Sequence, residues 1–220
     1  MISKSLFVLP LALALAAVSL SSQAGSLYVG GGYPGAAFGF SEPLTGSLSS
    51  FSFRGELAGG IRYKASGQRN GVDYDGTFKN DRFGTFLDWY PLSNGFRLSA
   101  GATFNDTNAT LNGRGTGNST INGKAVDLTG ETFNVKLTYP KTTPYVGIGW
   151  GHHSDSARGI GFFADIGAQF GRVSTEAQTS LIGKFGITQA DVDAEATTVR
   201  DYAKRAAVLP TLNFGATYKF

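Results

Sequence analysis

Three residues past the middle of the chain have the types a hydrolase needs. His152 and Ser154 lie two apart, and Asp165 follows further on. A serine nucleophile needs a base within hydrogen-bond reach and an acid that orients the base. Residues two apart on a strand share a face, so His152 and Ser154 could meet. The loop-like run from Asp155 to Gly159 can instead carry Ser154 off the strand, leaving His152 as a rim histidine beside a polar turn. His152 and His153 alternate to opposite faces, which argues against joint metal binding. Gly30, Gly32 and Gly35 match G-x-G-x-x-G by spacing, but Pro34 sits inside the motif and no helix follows, so the phosphate cradle has no context. No metal and no cofactor are expected. The net charge of +3 is spread along the chain and gives no nucleic-acid footprint.

The elements that would hold these residues are strands. Lys4, the apolar run Leu6 to Leu20, and the small residues Ser22 and Ala24 read as a cleaved signal peptide over residues 1–24, leaving one domain over 25–220. With Cys 0, an exported chain has no disulfides to staple it. Gly 31, Phe 17 and Tyr 9 in 220 residues suit a barrel wall better than a soluble enzyme.

Period-two alternation recurs along that span. Leu212, Phe214, Ala216, Tyr218 and Phe220 share one face, opposite Thr211, Asn213, Gly215, Thr217 and Lys219. The same pattern marks strands over 53–64, 74–90, 96–105, 132–139, 145–152 and 160–171, and a glycine-rich first strand between Leu27 and Phe40. A phase slip near Asn80 and Asp81 suggests a bulge or a stretch standing above the membrane. Pro91 to Gly95 and Pro140 to Pro144 read as tight turns, and 112–127 as a longer polar loop. Thr188 and Asp191 look like a helix cap, and the Ala-rich stretch 188–207 reads as a helix too polar to span lipid, stopped by Pro210. Eight alternating strands predict an all-β fold, a closed antiparallel transmembrane barrel with one short helix outside the bilayer before the last strand. Closure is required because strands in lipid tolerate no open edge.

On such strands Arg54, Arg62, Lys64, Arg82, Arg97, Lys136 and Lys219 would face the lumen with Glu56, Asp88 and Asp165, a basic surplus. Eight strands enclose just enough space for side chains to fill, so these residues are expected to form a packed polar network. If the lumen conducts, its surplus favours anions.

The alternation, and above all the run Leu212-x-Phe214-x-Ala216-x-Tyr218-x-Phe220, resembles the small eight-stranded outer-membrane barrels of the OmpA, OmpX and OmpW kind, over the whole of residues 25–220. The resemblance implies a Gram-negative outer-membrane location after export and contact with outer-membrane lipid and lipopolysaccharide. It also implies that Phe214, Tyr218 and Phe220 form the signal read by the barrel-assembly machinery. It implies a structural or surface-interaction role without enzymatic activity, through a surface ligand not identifiable from the loops. A small porin with a narrow basic lumen is the alternative. The His152-x-Ser154 pair is also similar to that of lipid A deacylase barrels, whose acidic partner is a glutamate where this chain offers Asp165. Counting eight strands back from a periplasmic Phe220 puts the turns at 91–95 and 140–144, and the helix, outside the cell. Short turns usually face the periplasm, and the glycine-rich N-terminal strand is where a miscount would sit.

Overall fold

A computed structural model describes residues 25–69, 71–92, 94–121, 123–152, 158–192, 194, 197 and 207–220. The expected signal segment 1–24, His153 and Ser154 lie outside the described residues. The strands are β1 (Ser26–Tyr33), β2 (Gly35–Pro43), β3 (Phe51–Arg69), β4 (Val72–Trp89), β5 (Phe96–Gly115), β6 (Asn118–Ile121), β7 (Lys124–Asp127), β8 (Thr132–Thr138), β9 (Thr142–Trp150), β10 (Gly159–Phe170), β11 (Ser174–Thr179) and β12 (Val208–Lys219).

All their pairings are antiparallel. Neighbours β1 to β5 pair in sequence, β5 then pairs both β8 and β9, β10 pairs β9, and β12 pairs both β10 and β1. Because β8 and β9 form one line along β5, and β11 continues β10 beside β8, the result is a ring of eight strands. Ser26, Ser41, Arg54, Phe86, Gly101, Tyr145, Gln169 and Leu209 pair in turn around it. Leu209 lies ten residues short of Lys219, the other partner of Ser26. A stagger of that size tilts the strands by roughly 40°, within the range of closed eight-stranded barrels.

Two features differ from the sequence reading and cancel in the strand count. The segment Leu27 to Phe40 is two strands, folded back at Pro34 so that Gly31 pairs with Ala36. Gly35 permits this reversal: its φ is 127°, and a Cβ there would lie 2.1 Å from the Gly59 carbonyl oxygen. The stretch Pro140 to Pro144 is not a turn. Thr138 pairs with Asn108 and Thr142 with Phe104, while the Tyr139 N–H donates to Thr107 O and the Asn105 N–H to Lys141 O. Odd-numbered residues here bond to β5, so both prolines turn their missing N–H toward β10 and β11. That neighbour pairs only up to Thr138 on one side and from Tyr145 on the other, so no ladder bond is lost.

The bulge also moves. The register shifts between Gly59 and Ile61 on β3, opposite Asn80 and Asp81, where Gly60 takes φ 92° and donates its N–H to Asp81 Oδ1 at 3.0 Å.

With strands assigned this way, the connections 44–50, 90–95 and 151–158 lie at the end that holds Ser26 and Lys219. The longer segments 116–131 and 180–207 lie at the far end. The turn at 91–95 and the helical segment therefore lie at opposite ends, while the two shortest links, at Pro34 and between Arg69 and Val72, share the end of the long segments. The helix begins as read: Thr188 and Asp191 cap each other, with Asp191 accepting from Thr188 N–H at 2.9 Å and donating its N–H to Thr188 Oγ1 at 3.3 Å. Beyond residue 192 the described residues include only 194 and 197, both helical, before 207; β12 begins at Val208, so Pro210 lies within the strand.

At the far end β3, β4, β5, β8 and β11 rise past the rest of the ring. Val72 of β4 meets Ile121, Val126 and Leu128 of the β6–β7 hairpin, and Leu181 and Ile187 beyond β11, in a small apolar core against which Tyr74, Phe133 and Val192 pack. Lys184 donates to Glu131 at 2.9 Å, Ser180 also bonds Glu131, and Lys124 donates to Asp191 at 2.8 Å. These contacts join the two long segments into one cap.

Candidate functional site

The ring is inverted relative to a soluble protein. Ile160 (78% exposed), Phe162 (79%) and Phe214 (62%) face outward, with Val29, Leu87, Trp89, Leu98, Ile148 and Trp150 among others, whereas Asp88 and Arg97 are fully buried inside. Alternation places them so: on β3, Ser52, Arg54 and Glu56 point in while Phe53 points out.

Inside, three arginines meet three carboxylates. Arg54 donates Nε to Asp88 at 2.7 Å and Nη1 to Glu56 at 3.3 Å, and lies 4.3 Å from the centroid of the Phe86 ring. Arg82 donates to the other Glu56 oxygen, and Tyr28 Oη donates to Glu56 at 3.1 Å. Arg97 pairs with Asp165 and approaches Asp88 at 3.4 Å. Ser99 Oγ donates to Asp88 at 2.6 Å. Each of the six charged groups has an opposite partner that sustains its burial, although Arg82 Nε and Nη1, Arg97 Nε and Asp165 Oδ2 make no hydrogen bond among the described residues.

A hydroxyl and amide tier closes the ring toward the cap. Thr103 bonds Thr143 at 2.7 Å and Gln169 at 2.8 Å, Asn105 donates to Thr143 at 3.0 Å, and Thr107 donates to Asn80 at 2.8 Å. Toward the chain termini the tier is aromatic: His152 lies 4.4 Å from Tyr28 and 4.7 Å from Phe163, centroid to centroid. Tyr90 Oη donates to the His152 carbonyl at 3.2 Å, and Arg97 to that of Gly151 at 2.7 Å.

Of the polar residues read as lumen-facing, the structure brings together Arg54, Glu56, Arg82, Asp88, Arg97 and Asp165. It does not bring in Arg62, Lys64, Lys136 or Lys219. The extra residue at Gly60 reverses the phase of β3, so Arg62 and Lys64 fall on the outer face, where Arg62 pairs with Asp81 at 2.6 Å. Lys136 stands exposed on the tall wall because the apolar face of β8 turns inward there, with Phe133 against the cap. Lys219 is half-buried at the terminus end. The basic surplus thus becomes a balanced set of three and three. Tyr28, Phe86 and Tyr145 join the interior unannounced, the first from a glycine-rich stretch with little alternation to read.

The hydrolase geometry is not assembled by the described residues. Among the described residues both ring nitrogens of His152 lack hydrogen-bond partners, and Asp165 serves Arg97 and, at 3.8 Å, Arg54. On β12, Leu212, Phe214 and Tyr218 face outward, and the Phe220 N–H donates to Gly25 O at 3.3 Å where the last strand meets the first.

An antiparallel ring of eight strands, apolar outside and ion-paired inside, is the class of protein these features define. Two solved structures from Acinetobacter baumannii resemble the chain in fold. CarO superposes with a TM-score of 0.53 at 18% identity, covering 90% of this chain and 98% of its own. CarO2 gives 0.55 at 18%, covering 90% and 99%. At this identity the likeness speaks for the fold. No family model and no curated protein sequence matches the chain.

Proposed function

We propose that this chain is a closed transmembrane barrel of the Gram-negative outer membrane. In this reading it is exported by a cleaved signal peptide over residues 1–24 and has a structural or surface-interaction role without enzymatic activity. The observation that carries this is the outward apolar belt around a ring whose interior holds six ion-paired side chains. A soluble protein would expose the arginines and bury Ile160 and Phe162; lipid is the solvent that favours the opposite. The connections 44–50, 90–95 and 151–158 then face the periplasm, and the cap, with the tight reversals at Pro34 and Gly71 beside it, faces outward, the side on which outer-membrane barrels carry their long loops. Phe214, Tyr218 and Phe220, on the strand that completes the ring, are where the assembly machinery would read the chain.

Fractionation of cells producing the protein, with electrophoresis of unheated and boiled samples, tests this reading. The expected result is recovery in the outer-membrane fraction as a species whose mobility changes on boiling. Recovery in the soluble periplasm with no change on boiling would refute it.

A further inference from the structure

The outer wall carries a groove that neither the interior nor the cap explains. It is an open depression of about 520 Å³, lined by Leu57, Phe83 and Phe104 on one side and by Asp81, Asp106 and Lys141 on the other. Phe83 and Phe104 stack with centroids 5.9 Å apart and form its apolar floor. The groove sits where the wall changes character. Toward the termini the outward residues are Leu87, Trp89 and Leu98; toward the cap they are Arg62, Lys79, Asp81 and Asp106.

Its two carboxylates are already neutralised. Asp81 is held by Arg62 at 2.6 Å and Lys79 at 3.6 Å, and Lys79 also pairs with Asp106. Arg62 reaches this position only because the Gly60 bulge turned it outward. Lys141 has no ion pair or side-chain hydrogen bond among the described residues. Three cations against two carboxylates leave one positive charge at the lip of an apolar groove.

We propose that this groove holds one phosphorylated, multiply acylated lipid of the outer leaflet, with an acyl chain along Leu57, Phe83 and Phe104 and a phosphate on the Lys141 ammonium. The inference rests on the outer-membrane reading above. The floor matches a hydrocarbon chain, and the unpaired ammonium matches a phosphate as a charge-assisted donor. Zwitterionic phospholipid meets the same floor but brings no surplus negative charge to Lys141.

The test is native mass spectrometry of the detergent-solubilised protein mixed with bisphosphorylated lipid A, with its monophosphorylated form, or with phosphatidylethanolamine. The unaltered protein is expected to retain bisphosphorylated lipid A preferentially. Lys141→Gln should lower that preference about fivefold, the size of a favourable exposed ion pair, and Phe104→Ala should lower retention of all three lipids. Equal retention of the three by the unaltered protein, or an unchanged preference in Lys141→Gln, would overturn the site while leaving the membrane reading intact. A protein whose mobility does not change on boiling would overturn both.

Discussion

Asp88 is the residue on which the interior network turns. It accepts from Arg54 and Ser99, lies beside Arg97 and is completely buried. Asp88→Ala leaves buried guanidinium charge underpaired and is expected to cost about 3–5 kcal/mol. Ser99→Ala, which removes one neutral donor, should cost about 1 kcal/mol. Urea unfolding in lipid bilayers measures both, and equal small losses would mean that the pairs contribute little. Arg54, Glu56, Arg82, Asp88, Arg97 and Asp165 were legible because each alternates with an outward apolar neighbour: Phe53, Leu57, Phe83, Leu87, Leu98 and Ile166. Arg62 and Lys64 were not, because one inserted residue flips a two-residue period and a bulge at paired glycines leaves no mark in the pattern.

At the scale of elements, the cap is the part the sequence concealed. The Thr188 and Asp191 capping pair was readable as a local motif, but the core of Val72, Ile121, Val126, Leu128, Leu181 and Ile187 draws on segments far apart in the chain. Leu181 is completely buried there, so Leu181→Ala should destabilise the cap by about 2–5 kcal/mol. Faster proteolysis within 116–131 and 180–192, with the ring intact, reports that loss. The cap should also loosen in acid. Hydrogen bonds from Lys184 and then Ser180 hold the Glu131 carboxyl below the usual glutamate range. A lowered carboxylate stabilises the fold above its ordinary pKa and loses that contribution as pH falls through the lowered value. Amide exchange across 180–187 should therefore stay slow at neutral pH and accelerate only below the ordinary glutamate range. In Glu131→Gln that step should vanish. The two prolines at 140 and 144 misled for a related reason: turn chemistry is local, whereas the pairing that lets both sit in one strand depends on where β10 and β11 leave the ladder.

For the whole molecule, eight strands were legible from periodicity, though by two errors that compensate: one reversal missed at Pro34 and one invented at Pro140. Correcting them gathers both long segments at one end of the ring, together with the tight reversals at Pro34 and Gly71. It also takes away the basic surplus from which anion preference was argued, since three arginines meet three carboxylates between the aromatic tier at Tyr28 and His152 and the hydroxyl tier at Thr103 and Thr143. Planar-bilayer recordings of the refolded protein are expected to show no conductance steps above baseline; steps with anion preference would restore the porin reading. The central claim, that the apolar face meets lipid and the arginines do not, is open to direct measurement because the chain has Cys 0. Single cysteines replacing Phe162, Ile148 or Ser99 can each be exposed to a thiol-reactive fluorophore in refolded, bilayer-inserted protein. Labels at 162 and 148 should be quenched by nitroxide-bearing lipid and shielded from iodide, and a thiol at 99 should resist labelling until the protein unfolds. Iodide quenching at 162 and 148 without quenching by lipid would contradict the account.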